Sequence, residues 1–223
     1  MAESTWADPK FQSWAKDAYV LAKIDAKTNK ELRTKFNVAG LPTVIVAKAG
    51  GEEIDRTLGY VPTAEFISTV DGYHKGVGTL KSLLAAEESN AKDAAFVYKL
   101  GEKLFAHGRA DDADARFSKV VELDPENAAG NSDDALMDRA SICQKAKNWD
   151  GAIAHCKDLM KRYPSSDLVP DAAISVAYFH ENAGQKPEAI AAYKEFITRW
   201  PESGDVEFAK EQIKGLETPA AAY

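Results

Sequence analysis

The sequence has little cysteine and little histidine. Its 223 residues hold two cysteines, Cys143 and Cys156, and four histidines, His74, His107, His155 and His180. Two cysteines do not build a disulfide scaffold. His155 adjoins Cys156, but neighbours on a helix point about 100° apart, a poor arrangement for holding one ion. No metal-ligand set and no cofactor motif is therefore expected, and both cysteines read as small core residues. No apolar run approaches the ~20 residues that span a bilayer. The opening MAESTWADPKF lacks the basic segment and apolar core of a signal peptide, so nothing in the chain as written directs it out of the cytoplasm. An excess of positive charge is missing too: the net charge is −7. Residues 1–75 hold ten basic and ten acidic side chains, whereas residues 76–223 hold 18 and 25. Binding a nucleic acid requires neutralising phosphates, so nucleic acid is not an expected partner.

What is present is an ordinary globular composition, 45% hydrophobic and 28% charged, in a chain long enough for two small domains. In the first stretch, YVLAKIDA (19–26) is a short apolar run ending in a carboxylate, which predicts a buried strand. TNKELRTKFN (28–37) places Leu32 and Phe36 one helical turn apart with Asn37 as a stop, a short helix. VAGLPTVIVAKAGGEEIDRTLGY (38–60) reads as strand, Gly-Gly turn and strand. Pro62 then opens a helix over PTAEFISTVDGY (62–73).

The order strand, helix, strand, strand, helix resembles the later part of a thioredoxin-like domain, over residues 1–73. The resemblance rests on Asp25, KFNVAGLPT (35–43), the Gly59-Tyr60 pair and ESTWADPKF (3–11). The last of these is similar to the segment after the active-site helix in the secreted and periplasmic branch of the family. The resemblance implies a partial α/β thioredoxin-like fold. It also implies that Pro42 is the cis-proline that faces the redox cysteines, and that the protein belongs in an envelope compartment. The departure is large. The Cys-x-x-Cys helix and its central strand would precede residue 3, so the sequence is expected to be part of a longer protein. The alternatives are that the two remaining strands pair directly or that another chain supplies a strand. Thiol exchange needs an accessible thiolate, and neither cysteine lies in this stretch, so the chain as written is not expected to exchange disulfides here.

Residues 74–92 read as a linker with a short helix near 79–88. Beyond it the chain repeats itself. Three 29-residue stretches end at Pro125, Pro164 and Pro201. Each carries a small residue in its first helix (Gly101, Ala140, Ala177) and, twelve positions on, an alanine in its second (Ala113, Ala152, Ala189). Four further on stands Phe117, Cys156 or Tyr193. Small side chains let two helices approach while the larger one fills the space beside them. This pattern resembles the tetratricopeptide repeat (TPR), with repeats at about 94–127, 133–166 and 170–203. The longer spacing of the later two is similar to repeats of bacterial cell-envelope assembly proteins. DVEFAKEQIKGLE (205–217) reads as the polar capping helix that stacked repeats require. The repeats with this helix cover 93–217, and TPAAAY (218–223) is a tail expected to lack order.

Resemblance to the repeat family implies a concave face lined by Tyr98, Glu102, Phe105, Met137, Ser141, Gln144, Ile174, Tyr178 and Glu181. Aromatic and Met side chains mixed with polar ones suit peptide recognition, although Tyr98 and Tyr178 are equally suited to packing between neighbouring repeats. The Lys, Arg and Asn of a carboxylate clamp are absent. Three readings remain open: a protein-binding module with a non-catalytic thioredoxin-like part, part of a thiol–disulfide oxidoreductase, or an assembly component that oligomerises through its repeats.

Overall fold

The computed structural model describes residues 5–218. The chain divides into two compact units, one of residues 1–91 with 99–113 and one of residues 92–98 with 114–223.

The first unit contains α1 (Pro9–Ala15), α2 (Lys30–Lys35), β1 (Thr43–Ala47), β2 (Glu53–Leu58), α3 (Thr63–His74) and α4 (Leu80–Ala86). Asp8 starts α1 by accepting a hydrogen bond from the Lys10 amide at 2.8 Å, with Pro9 preset for the first turn. β1 and β2 form an antiparallel hairpin with Thr43 opposite Leu58 and a register break at Val46/Ala47. Gly51, at φ +82°, supplies the left-handed residue of its turn. Phe11, Ala15, Val46, Phe66, Val70 and Tyr73 are buried together, and Trp6, Trp14 and Tyr19 pack on them. Trp6 meets Phe11 and Phe66 edge-on at ring distances of 4.8 and 5.3 Å.

The predicted strand over residues 19–26 does not form. The sheet has two strands, and residues 20–24 run irregularly, with Val20 99% exposed, Leu21 63% and Ile24 52%. Apolar composition alone cannot make a strand, because its backbone groups need a neighbour. No described segment offers that neighbour. The Asp25 carboxylate instead caps a turn, accepting from the Lys27 amide at 2.7 Å.

Beyond α4 stand α5 (Ala94–Ala106), α6 (Ala110–Leu123), α7 (Ser132–Lys145), α8 (Trp149–Arg162), α9 (Val169–Asn182), α10 (Lys186–Arg199) and α11 (Val206–Glu217). In the second unit α7 packs on α8, α8 on α9, α9 on α10 and α10 on α11. The pattern-bearing residues Ala140, Ala152, Cys156, Ala177, Ala189 and Tyr193 are all buried, as are Gly101, Ala113 and Phe117. Burial pushes the Cys156 thiol up to about 12, so it is a protonated core residue, not a nucleophile. The helix pairs turn through left-handed residues, Gly108 (φ +72°), Lys147 (+57°) and Gly184 (+76°). At Gly108 a Cβ would stand 2.2 Å from the Asn37 side chain, whose amide donates to the His107 carbonyl at 2.9 Å. Of the expected tail, residues 219–223 lie outside the described residues.

Candidate functional site

Two concentrations of chemistry stand out, one in each unit. In the first unit Asp55 on β2 is 1% exposed. Its carboxylate accepts hydrogen bonds from the Arg56 amide at 2.6 Å, Lys103 Nζ at 2.6 Å and the Leu80 amide, with His107 Nε2 at 3.3 Å. Lys103 also donates to the Arg56 carbonyl and the Tyr73 hydroxyl, and its ammonium lies 4.1 Å from the Tyr73 ring centre. Arg56 grips both oxygens of Glu53 at 2.6 Å. Burial alone would push the Asp55 carboxyl up, but hydrogen bonds from His107 and Lys103 hold it at about 2. Asp55 is thus ionised and its acceptor capacity is spent. That describes a buried polar fastener, with nothing left over for a ligand.

Elsewhere in this unit the Leu41–Pro42 peptide is cis, Pro42 is exposed, and its carbonyl accepts from the Gly59 amide at 2.8 Å. Glu102 is exposed on α5, while Phe105 is buried.

In the second unit a cavity of about 220 Å³ is lined by Gln144, Ile174, Ser175, Tyr178, Phe179, Asp205 and Phe208. It brings together three of the expected lining residues: Gln144 from α7, and Ile174 and Tyr178 from α9. Tyr178 is 37% exposed and Phe208 39%, and they are the two exposed large hydrophobic residues among the described residues of this unit. The Gln144 amide, the Ser175 hydroxyl and the Asp205 carboxylate make no hydrogen bond or ion pair with any described residue. A larger cavity of about 590 Å³ is lined by Pro164, Ser165, Ser166, Asp167, Val169, Pro170, Arg199 and Trp200, none of them an exposed large hydrophobic residue, and two of its polar groups are committed. Ser166 donates to Asp133 at 2.6 Å, and Arg199 pairs with Glu195 at 3.2 Å while lying 4.6 Å from the Trp200 ring centre.

The other expected lining residues of this unit sit apart from the cavity. The Tyr98 hydroxyl donates to Asp138 at 3.1 Å and its ring lies 5.6 Å from Phe117, so Tyr98 packs between helices. Glu181 accepts the Tyr193 hydroxyl at 2.9 Å. Met137 and Ser141 are half-buried on α7. Burial raises the Asp138 carboxyl to about 6, with Asp134 adding to the shift against the Tyr98 hydrogen bond.

Sequence reasoning missed Ser175, Phe179, Asp205 and Phe208. Phe208 carried a usable signal. In α11 the inward stripe is Val206 and Ala209, buried, with Ile213 and Leu216, half-buried, and an aromatic ring off that stripe faces outward.

The family model described as a thioredoxin-like domain matches residues 1–73. The tetratricopeptide-repeat model matches residues 134–166 and 174–203. The chain carries a thioredoxin-like domain and tetratricopeptide repeats. The matched repeat spans are the α7–α8 and α9–α10 pairs, and the cavity draws Ile174, Ser175, Tyr178 and Phe179 from the second of them. Among solved structures, MamA is 20% identical with a TM-score of 0.50, covering 71% of this chain and 88% of its own. The TPR domain of Arabidopsis OM64 is 13% identical with a TM-score of 0.46, covering 56% and 98%. A MamA RS-1 ArsTM double mutant is 18% identical with a TM-score of 0.48, covering 67% and 90%. The MamA likeness concerns the fold alone. No curated protein matches the sequence. Tetratricopeptide repeats support a role in protein interaction, and no helix among the described residues is long and apolar enough to cross a membrane.

Proposed function

We propose that the second unit binds a peptide segment of a partner protein in the cavity between α7, α9 and α11. The observation that carries this reading is convergence: both exposed large hydrophobic side chains among the described residues of the unit, Tyr178 and Phe208, border one cavity that also holds three uncommitted polar groups. Apolar surface beside a few unspent hydrogen-bonding groups is what a binding site needs and a monomeric surface otherwise avoids. In this reading Tyr178 and Phe208 grip an apolar side chain, while Gln144 and Ser175 bond to peptide backbone. The test is selection of peptides from a random displayed library on the full chain. Selected peptides are expected to lose binding to the Tyr178→Ala/Phe208→Ala double variant at an unchanged melting temperature. Equal binding to that variant would overturn the assignment.

A second reading concerns the first unit. Val20, Leu21 and Ile24 leave an apolar segment bare of backbone partners among the described residues, which favours completion by a further strand. If that strand came with a Cys-x-x-Cys helix, the unit would exchange thiols and disulfides with Pro42 beside the cysteines, and the repeats would choose the client in an envelope compartment. The chain of this sequence is expected to be inactive in dithiothreitol-driven insulin reduction, and a version carrying such a strand and helix active. Inactivity of the extended version would remove this reading.

A further inference from the structure

The cavity between α7, α9 and α11 also carries information about the charge of its occupant. We infer that it selects a peptide with an apolar side chain flanked by lysine or arginine, an inference that rests on the peptide-binding reading above. Its lining holds one ionisable acid, Asp205, and no Lys, Arg or His. Asp205 is exposed and forms no ion pair with a described residue, so its charge is available to a ligand. Several cations elsewhere on this unit are engaged: Arg139 grips Asp114 at 2.7 Å, Lys194 pairs with Glu217 at 2.9 Å, Lys210 with Glu207 at 2.6 Å and Arg162 with Asp158 at 3.6 Å.

The wider field has the same sign. The second unit, residues 92–98 with 114–223, holds 20 acidic side chains against 14 basic. A surface of one sign raises the local concentration of ligands of the other and rejects like-charged competitors. The helix end that would attract an anionic ligand to this cavity is the amide end of α11. That end already carries two carboxylates, Asp205 at the cap and Glu207 in the first turn, which answer the positive end of the helix dipole. A carboxylate peptide would meet them as a like charge. The apolar part of the occupant is set by Ile174, Tyr178, Phe179 and Phe208, which give four apolar walls to a space of about 220 Å³, the scale of one or two side chains and not of a folded domain.

The full chain is titrated with three fluorescein-labelled peptides of equal length, in which leucines alternate with lysine, with glutamate or with serine, and fluorescence anisotropy is read. The lysine peptide is expected to bind about tenfold or more tightly than the glutamate peptide, with the serine peptide between them. The preference is expected to weaken as salt rises, because exposed charges are screened. Asp205→Lys is expected to reverse the order of the lysine and glutamate peptides, and Tyr178→Ala to weaken all three. Glutamate and lysine peptides binding equally, both weakened by Tyr178→Ala, would overturn the charge inference and leave the peptide site standing. Binding of the lysine peptide that ignores both Tyr178→Ala and Phe208→Ala, in variants whose melting temperature is unchanged, would overturn the site itself. Self-association of the chain that buries Tyr178 and blocks all three peptides would overturn both.

Discussion

In the second unit the exposed rings of Tyr178 and Phe208 come from different helices and meet at one cavity. In the first unit Val20, Leu21 and Ile24 are exposed along one continuous stretch, and a buried polar cluster surrounds Asp55. One unit therefore buries its pattern and exposes a concentrated site. The other buries a small charged cluster and exposes a strand-like segment. The difference comes from how each is built. A repeat finds its partners within about 30–40 residues along the chain, so its small residues and rings satisfy one another locally. A sheet is assembled from distant segments, and a segment without a neighbour stays bare.

The sharpest way to break the comparison is to remove the polar fastener. Asp55→Ala would leave Lys103 buried without its carboxylate and is expected to cost about 3–5 kcal/mol. Hydrogen exchange should rise in β2 and α3 and stay unchanged in α9 to α11. The same interaction has a pH signature. Because Asp55 is held at about 2, its stabilisation is present above the ~3.9 of an unfolded aspartate. It is lost as pH falls through about 2. Overpacking tests the other unit. Ala152→Leu, at a fully buried position between α7 and α8, is expected to cost about 1–3 kcal/mol. Urea unfolding followed at Trp149 should show it, while exchange in β2 stays unchanged.

A smaller effect of opposite sign is expected at Asp138. Its carboxyl is raised to about 6, so ionisation disfavours the folded state above that pH. The penalty disappears as pH falls below the unfolded value. Asp138→Asn keeps an acceptor for Tyr98 and is expected to stabilise by on the order of 1–2 kcal/mol near neutral pH. Melts repeated toward pH 4 should show that gain vanishing. The smallest effect is expected where the first unit is bare: Val20→Ser should change stability by less than about 0.5 kcal/mol. A large loss there would mean that the segment is covered in solution.

These contrasts also mark what is legible in the sequence. The three helix pairs and the burial of Ala140, Ala152, Ala177 and Ala189 follow from periodicity, a local property. So does the Gly-Gly hairpin between Val46 and Glu53, and so does the stop at Asn37, which adopts φ +47°. The strand expected over residues 19–26 is absent because an apolar run states a preference for burial but does not supply a partner. The fastener is invisible in the sequence because Lys103 and His107 lie about fifty positions from Asp55 and are joined to it only by the fold. Of the cavity, Gln144, Ile174 and Tyr178 are within reach of repeat spacing. Asp205 is not, since its role comes from standing at the start of a helix that reads as a cap.

The proposed peptide site is the cavity between α7, α9 and α11. The most direct measurement is an amide nitrogen–proton correlation spectrum of the full chain titrated with the lysine–leucine peptide. Shifts concentrated at Gln144, Ile174–Phe179 and Asp205–Phe208 are the predicted result. Shifts confined to residues 20–24, or spread evenly over the acidic surface, would contradict it.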